Sequence, residues 1–228
     1  MRYIVMALIG LVAGFAGAAL WSVSGLGDAR TRTYLVENPE ILPEVAQALQ
    51  QREAQAALAS IRDEVTTPFP GAVLGNPNGT KTLVKFTDYA CGYCRASVPD
   101  VERLIAEDPD LKVVIREWPI FEGSEITARM ALAAARQGKY DQFHKAMFAA
   151  GGREEALDQV IGQTGLDEEM TPGLARSDAV TQELARNMEM ARTLGFTGTP
   201  SWIANGRVIQ GAVGYDALKD ALDAETAG

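Results

Sequence analysis

The apolar residues near the amino terminus form one long uninterrupted run. Residues 3–23 carry no charge, Arg2 precedes them, and Asp28 is the next ionised side chain. About twenty apolar residues are enough to cross a bilayer as a helix, whereas the apolar core of a cleaved signal peptide usually has about 7–15 residues. Residues 1–27 are therefore predicted to form a membrane-spanning signal anchor, with a cleaved signal peptide as the alternative. Either one exports the rest of the chain to a compartment where disulfides persist.

Residues 28–67 have an irregular amphipathic pattern. Leu42, Val45 and Leu49 follow the spacing of a heptad repeat, which is then interrupted and resumes in another register at Leu58. A coiled coil needs about three or more regular heptads, so the pattern predicts one or two short helices instead. Two roles stay open for this segment: a stalk that separates the main domain from the membrane, and an arm for homo-oligomerisation.

The remaining residues, 68–228, alternate between strand and helix patterns. Prolines and a glycine at 68–71 end the preceding helix. Asn205-Gly206 lies between two short apolar runs, which is typical of a two-residue β-hairpin turn. The order predicts an α/β fold, in which a sheet carries a helical insertion. The patterns indicate strands at 82–87, 111–118, 202–204 and 208–209, and helices at 95–107, across an insertion at about 122–194, and at 215–224.

Length and charge limit the classes of function. Beyond the first apolar run, roughly two hundred residues remain, enough for one domain with a sizeable core and an accessory segment. The net charge is −9 and the isoelectric point about 4.7. Such an acidic chain is not expected to bind nucleic acid or to be held electrostatically on a membrane surface.

The two cysteines of the chain, Cys91 and Cys94, are separated by two residues. Disulfide stabilisation grows with the length of the closed loop, so this spacing makes a poor structural crosslink and favours a redox-active disulfide. The pair follows a predicted strand and opens a predicted helix. Cys91 is therefore placed at a helix N-terminus, where unpaired N–H groups stabilise a thiolate. We expect Cys91 to be the catalytic nucleophile and Cys94 to resolve the mixed disulfide.

Three other uses of the two cysteines compete with this interpretation. Structural zinc needs about four protein ligands, and the chain adds only one histidine, His144, to its two thiols. Two thiolates could hold Cu(I), and an inert disulfide would need no further residue. We expect His144 to be structural, and the sequence predicts neither a metal nor another cofactor.

Three motifs resemble the DsbA-like branch of the thioredoxin superfamily of thiol–disulfide oxidoreductases. They are FTDYACGYC at 86–94, REWP at 116–119 and GTPSW at 198–202, and they occur in the order of that family. A further stretch, TYLVENPEILPEV at 33–45, resembles the N-terminal region of ScsC-like and Com1-like proteins. The resemblance implies a thioredoxin-like core interrupted by a helical domain.

The same resemblance implies site residues and partners. The Thr199–Pro200 peptide bond is expected to be cis and to face the dithiol, and the backbone before it to pair with an extended substrate segment. Thr199 and Pro200 would then bind substrate and, with Gly92 and Tyr93, tune the redox potential. The implied partners are exported, periplasmic proteins with thiols or disulfides, and a membrane protein that recycles the dithiol.

One position departs from the family pattern. Many thioredoxin-like proteins have a buried acid six residues before the first cysteine, and this chain has Lys85 there. An acid would assist proton transfer from the buried thiol, whereas a lysine would favour the thiolate electrostatically. Asp88 and Glu117 are candidate replacements for the acid. Their orientation does not follow from the sequence, and we assign them no catalytic role.

The two residues between the cysteines indicate the direction of electron flow. Strong oxidants commonly have a histidine there that stabilises the thiolate, and Gly92-Tyr93 supplies no such cation. The same pair occurs in disulfide isomerases and ScsC-like proteins, and isomerases are kept reduced and often oligomerise. We therefore favour a disulfide reductase or isomerase. A dithiol oxidase and a copper-binding or chaperone module are the alternatives.

Overall fold

Five strands form one sheet with the order β1-β3-β2-β4-β5 in the computed structural model, which describes residues 2–23 and 26–224. Residues 1, 24–25 and 225–228 belong to the predicted segments 1–27 and 68–228 and lie outside the described residues. The strands are β1 (Val73–Gly75), β2 (Lys81–Thr87), β3 (Leu111–Glu117), β4 (Ser201–Ala204) and β5 (Arg207–Gln210).

Helices make up most of the other described residues, and a short 3-10 helix at Glu154–Ala156 lies among them. The α-helices are α1 (Arg2–Val23), α2 (Leu26–Glu37), α3 (Ile41–Thr66), α4 (Gly92–Ala96), α5 (Val98–Glu107), α6 (Ser124–Arg136), α7 (Tyr140–Ala149), α8 (Leu157–Thr164), α9 (Thr171–Ala175), α10 (Asp178–Thr193) and α11 (Gly214–Asp223).

The chain divides into two compact units, Met1–Gln50 and Gln51–Gly228. The first contains α1, α2 and the beginning of α3. Among the described residues, no helix is both long enough and apolar enough to cross a membrane. The membrane-spanning helix predicted within residues 1–27 therefore finds no support in this structure, although α1 itself is helical. The predicted boundaries of the stalk and the main domain stay predictions.

The parallel pair β2 and β3 forms the centre of the sheet. Lys85 pairs with Ile115 and Thr87 with Glu117, and the later residues of both strands are buried. Parallel strands need a crossover connection, which α4 and α5 supply here. The helical path breaks at Ser97, and α5 begins just before Pro99, where a missing N–H costs little. The carboxyl ends of β2 and β3 meet at one edge of the sheet, and the dithiol follows β2 there.

The two faces of the sheet are covered by different helices. On one face, α5, α6, α7 and α11 contribute to the larger apolar cluster. On the other face, Leu58 and Val65 of α3 share a cluster with Val84 and Phe86 of β2. Both α3 side chains are fully buried, at 1% and 0% exposure. The carboxyl-terminal half of α3 is therefore part of the core that surrounds the sheet.

A helical segment and a hairpin complete the sheet domain. Helices α6 to α10 lie between β3 and β4, and β4 pairs with β5 across a two-residue turn. Both turn residues have positive φ, 47° at Asn205 and 75° at Gly206, as a type I′ turn requires. Strand β1 was not predicted. It pairs antiparallel with β3 at the edge of the sheet.

Candidate active site: a buried dithiol beside a cis proline

The dithiol lies at the point where the chain leaves β2 and enters α4. Cys91 immediately precedes α4 with extended backbone angles, and its carbonyl accepts the Arg95 N–H at 3.1 Å. Its side chain is therefore close to the unpaired N–H groups of the first turn. Cys94 lies within α4. Both cysteines are free thiols and both are buried, whereas Tyr93 between them is 70% exposed.

The loop before β4 faces this dithiol. The Thr199–Pro200 peptide bond is cis, as the resemblance implied. The Cys91 thiol donates a hydrogen bond to the Thr199 carbonyl oxygen at 3.2 Å. The Ser201 hydroxyl donates to the Gly198 carbonyl at 2.7 Å, and Pro200 accepts the Gly211 N–H at 2.9 Å. Cys91 thus forms one site with Thr199 and Pro200, although more than a hundred residues separate it from them in sequence.

Cys94 is the more enclosed of the two thiols. Burial raises the pKa of Cys94 to about 11, and the neighbouring Lys85 ammonium and the Thr199 and Thr87 hydroxyls oppose this increase. Within the described part of the chain, these two hydroxyls have no hydrogen-bond partner of ordinary geometry. The neighbouring groups thus lower the pKa of Cys94 by less than burial raises it.

Lys85 extends beneath the dithiol from β2. It is completely buried, and its Nζ is 3.5 Å from the Cys94 carbonyl oxygen. The Nζ also lies over the rings of Phe148 and Trp202, at 5.5 and 5.3 Å from their centroids. Burial lowers the pKa of Lys85 to about 8, and the negative charge of a Cys94 thiolate is the largest influence opposing that decrease. The residue that departs from the family pattern is therefore in direct contact with the dithiol turn.

Glu117, at the end of β3, forms a second buried polar group. Its Oε1 accepts hydrogen bonds from the Tyr89 hydroxyl at 3.2 Å and from the Tyr140 hydroxyl. Tyr89 also contacts His144 Nδ1 at 3.1 Å. Burial raises the pKa of Glu117 to about 8 and lowers that of His144 well below its usual value. His144 is therefore a neutral member of this network, and its hydrogen bond is to Tyr89. Nothing in the spacing of Tyr89 and Tyr140 in the sequence indicates this shared partner.

Asp88, the other candidate acid, organises the backbone around the dithiol. Its carboxylate accepts hydrogen bonds from Ala90 N at 2.8 Å, from Ile120 N at 2.6 Å and from Phe121 N at 3.0 Å. It also accepts one from the Ser124 hydroxyl at 2.7 Å, at the start of α6. Asp88 therefore ties the dithiol loop to the helical insertion, and these four bonds occupy its oxygens.

This combination of a mixed sheet, a CxxC dithiol at a helix N-terminus and a facing cis proline defines a thiol–disulfide oxidoreductase of the thioredoxin fold. Residues 82–223 match the DSBA-like thioredoxin domain, and the chain belongs to that family. Residues 31–56 match the copper resistance protein ScsC N-terminal domain. The resemblance seen in the sequence, to a DsbA-like domain preceded by an ScsC-like segment, is confirmed.

Several solved structures are similar to this chain over most of their length. A thioredoxin-like oxidoreductase from Silicibacter pomeroyi is 40% identical, with a TM-score of 0.67, and the match covers 71% of this chain and 95% of that one. The thiol-disulfide exchange protein alpha-DsbA2 from Wolbachia pipientis is 25% identical, with a TM-score of 0.69 and coverage of 77% and 97%. A linker-deleted mutant of Proteus mirabilis ScsC is 29% identical, with a TM-score of 0.69 and coverage of 85% and 90%.

The curated relatives of the chain are much longer than it is. The Na(+)/H(+) antiporter NhaA of Herminiimonas arsenicoxydans is 30% identical over 171 residues, which are 72% of this chain and 27% of that protein. The chain thus spans about a quarter of the length of the curated relatives it matches. Antiport describes those proteins, and the resemblance does not extend it to this chain.

Proposed function

We propose that the protein exchanges thiols and disulfides with exported proteins through Cys91 and Cys94. The observation that carries the proposal is the position of Cys91, whose thiol precedes the first turn of α4 and contacts the Thr199 carbonyl beside the cis Pro200. The neighbouring backbone can align a substrate strand beside this thiol. Gly92 and Tyr93 complete the rim of this site.

The exchange has two steps. The Cys91 thiolate attacks one sulfur of a substrate disulfide, forming the mixed disulfide and releasing the other substrate sulfur as a thiolate. The Cys94 thiolate then attacks Cys91 Sγ, forming the Cys91–Cys94 disulfide and releasing the second substrate thiolate. The substrate disulfide is reduced by two electrons and the dithiol is oxidised by two. In this direction, the proposed membrane redox partner returns the dithiol to its reduced form.

We favour reduction or isomerisation over oxidation. The support is the Gly92-Tyr93 pair, which places no cationic side chain between the cysteines, and the buried His144, whose hydrogen bond is to Tyr89. We expect a reduction potential at or below that of protein disulfide isomerase, about −180 mV, together with catalysis of insulin reduction. A potential near about −120 mV, as in DsbA, with no insulin reduction would favour the dithiol oxidase.

The Cys94→Ser variant tests the mixed-disulfide mechanism. Without a resolving thiol, Cys91 should stay bonded to its substrates, and the adducts should appear on non-reducing gels as bands that a thiol reductant removes. The matched Cys91→Ser variant keeps one thiol but lacks the nucleophile, so it should trap none. If both variants trapped proteins equally, or neither did, the assignment of nucleophile and resolving cysteine would be wrong.

The site of action and the assembly are part of the same proposal. We place the protein in the periplasm. Its family match and the apolar run at residues 3–23 both favour a compartment where disulfides persist. The ScsC-like segment at 31–56 is the proposed arm for self-association. The mass of the full chain in solution tests this assignment. If the chain is a monomer at micromolar concentration, residues 31–56 would act as a stalk and not as an arm for self-association.

Copper binding is a second candidate, favoured by the match to the N-terminal domain of a copper resistance protein. Among the described residues, no group of three or more histidine, cysteine and acidic side chains could hold a metal ion. Copper would therefore depend on the two thiolates, which suit Cu(I). Titration of the reduced protein with Cu(I) under competition from free thiols tests this. Retained stoichiometric copper without exchange activity would favour binding over catalysis.

A further inference from the structure

Two exposed arginines, Arg95 and Arg153, border the dithiol from different parts of the chain. Arg95 directly follows Cys94 in α4, and its backbone N–H donates to the Cys91 carbonyl oxygen at 3.1 Å. Arg95 therefore lies one helical turn after Cys91. Residues at this spacing on a helix share a face and have their Cβ atoms about 5–6 Å apart. The Arg95 side chain thus starts from the side of α4 that carries the nucleophile.

The guanidinium group of Arg95 extends towards the turn that follows α7. Its Nη1 lies 3.8 Å from the position that a Cβ on Gly151 would occupy. The next residue, Gly152, closely approaches the carbonyl oxygen of Tyr89 in the dithiol loop, and Arg153 comes directly after it. The two arginines are therefore neighbours at one rim of the active site.

This rim is positively charged, in contrast to the chain as a whole, whose net charge is −9. Among residues 2–23 and 26–224, no carboxylate forms an ion pair with either arginine, and neither guanidinium group donates a hydrogen bond. The acids nearest to them in sequence, Glu154 and Glu155, are themselves exposed at the start of the 3-10 helix. Arg103, by comparison, is also exposed but is paired with Glu107 at 2.8 Å. The charges at the rim are thus available to a bound molecule.

We propose that Arg95 and Arg153 select client segments that carry aspartate or glutamate beside the reacting disulfide. The inference rests on the proposed exchange reaction and names the substrate class of that same site. An extended segment whose sulfur reaches Cys91 places its flanking residues on both sides of that thiol, about 3.3 Å apart along the strand. Carboxylates at these positions fall within reach of the long arginine side chains, which bind carboxylates through paired N–H groups.

The expected size of the effect follows from Coulomb's law. At a separation of about 7 Å in water, one pair of unit charges changes a rate by about 2–3-fold, and each further charge multiplies this factor. Replacing arginine with glutamate changes the local charge by two units. Salt should remove the effect, because the screening length falls from about 30 Å at 0.01 M to about 3 Å at 1 M ionic strength.

The test compares the rates at which Cys91 of the reduced full chain attacks three small disulfides. At neutral pH, 5,5′-dithiobis(2-nitrobenzoic acid) is a dianion, 2,2′-dithiodipyridine is neutral and cystamine is a dication. In Arg95→Glu at 0.01 M salt, we expect the ratio of the rate with the dianion to the rate with the dication to fall by about 5-fold or more. Arg153→Glu should shift this ratio in the same direction. In 1 M salt the variants and the wild type should agree within about twofold.

A pair of peptides extends the test from small disulfides to client segments. One disulfide-linked peptide has glutamate on both sides of each cysteine, and the other has lysine at the same positions. The wild type should react faster with the glutamate peptide at low salt, and Arg95→Glu should reverse this preference.

The controls separate charge selection from damage to the dithiol. Arg207→Glu makes the same change at an exposed arginine, at the far end of the β4–β5 hairpin from Pro200, and should leave the ratio within twofold of wild type. Equal changes with all three disulfides in Arg95→Glu would show an effect on the dithiol itself and would overturn the proposal. A ratio within twofold of wild type at 0.01 M salt would overturn it as well. Failure of the wild type to react with any of the disulfides would instead overturn the exchange function.

Discussion

At the scale of single residues, Glu117 couples the stability of the protein to pH. Its carboxyl group is fully buried between the Tyr89 and Tyr140 hydroxyls, and burial raises its pKa from 4.5 to about 8. Between these two pH values the folded protein keeps a proton that the unfolded chain has lost. The contribution of Glu117 to stability is therefore fully present below the unfolded pKa and is lost as the pH rises through the window, by at most about 1.4 kcal/mol per pH unit.

Replacing Glu117 with glutamine should flatten this dependence. Glutamine keeps an oxygen acceptor for the tyrosines but does not titrate. The free energy of unfolding in urea should therefore vary less between pH 7 and pH 8, above the range in which His144 titrates in the unfolded chain. Lys85 acts in the opposite sense and only above about pH 8, because burial lowers its pKa. Glu122→Gln, at an exposed position, is the matched control. Equal slopes in the two variants would contradict the assignment to Glu117.

The site residues divide into those that motifs reveal and those that packing reveals. Cys91 and Cys94 were predicted from their spacing and their position after a strand, whereas the cis bond at Pro200 was implied by the family resemblance. Lys85 was noticed as a departure, but its contact with the dithiol turn depends on the strand register, which pairs Lys85 with Ile115. The sequence therefore identifies Lys85 as unusual but does not show that it contacts the dithiol turn.

At the scale of elements, the helical insertion touches the dithiol loop through a glycine. Gly152 follows α7 with φ +74°, and a Cβ there would lie 1.9 Å from the Tyr89 carbonyl oxygen. Neighbouring Gly151 has φ +89°, but its nearest contact is Arg95 Nη1 at 3.8 Å. Gly152 therefore allows the backbone of the insertion to approach the loop that holds Cys91.

Alanine substitutions at these two glycines separate backbone strain from close approach. In both variants an alanine must adopt a positive φ, which destabilises the folded protein by about 1–2 kcal/mol. Only Gly152→Ala also displaces Tyr89, so it should lose about 1–3 kcal/mol more in urea unfolding than Gly151→Ala. The attack of Cys91 on 5,5′-dithiobis(2-nitrobenzoic acid) should also be slower in this variant, because Tyr89 lies two residues before Cys91. Equal losses in the two variants would show that the contact with Tyr89 is unimportant.

The elements with strong local signals were predicted, and the one with a weak signal was missed. Asn205-Gly206 determines its hairpin because both residues adopt the positive φ that the turn requires. Strand β1 has only three residues, Val73–Gly75, and exists because β3 offers an edge to pair with. Such a pairing depends on a distant segment, and no periodicity in three residues can indicate it.

At the scale of the whole molecule, the boundary between the two compact units falls within α3. Its amino-terminal half has the exposed Leu42, Val45 and Leu49, at 52–58% exposure. Its carboxyl-terminal half buries Leu58 and Val65 against the sheet. Buried Arg116 of β3 also donates hydrogen bonds to three carbonyl groups near the end of this helix, those of Glu64, Val65 and Thr67. The part of α3 that follows Gln51 is thus a core element of the sheet domain.

Two truncations should therefore behave very differently. A chain that begins at Gln51 keeps the whole compact unit and should match the full chain in urea unfolding. A chain that begins at Pro68 loses the burial of Leu58 and Val65, about 1.5–3 kcal/mol for each side chain, and leaves Arg116 without its carbonyl partners. In the full chain, Leu58→Ala should cost about 2–5 kcal/mol, while Leu49→Ala should change stability by no more than about 0.5 kcal/mol. If the chain from Pro68 were as stable as the chain from Gln51, α3 would be a stalk along its whole length. If it is less stable, the catalytic domain begins inside the helix.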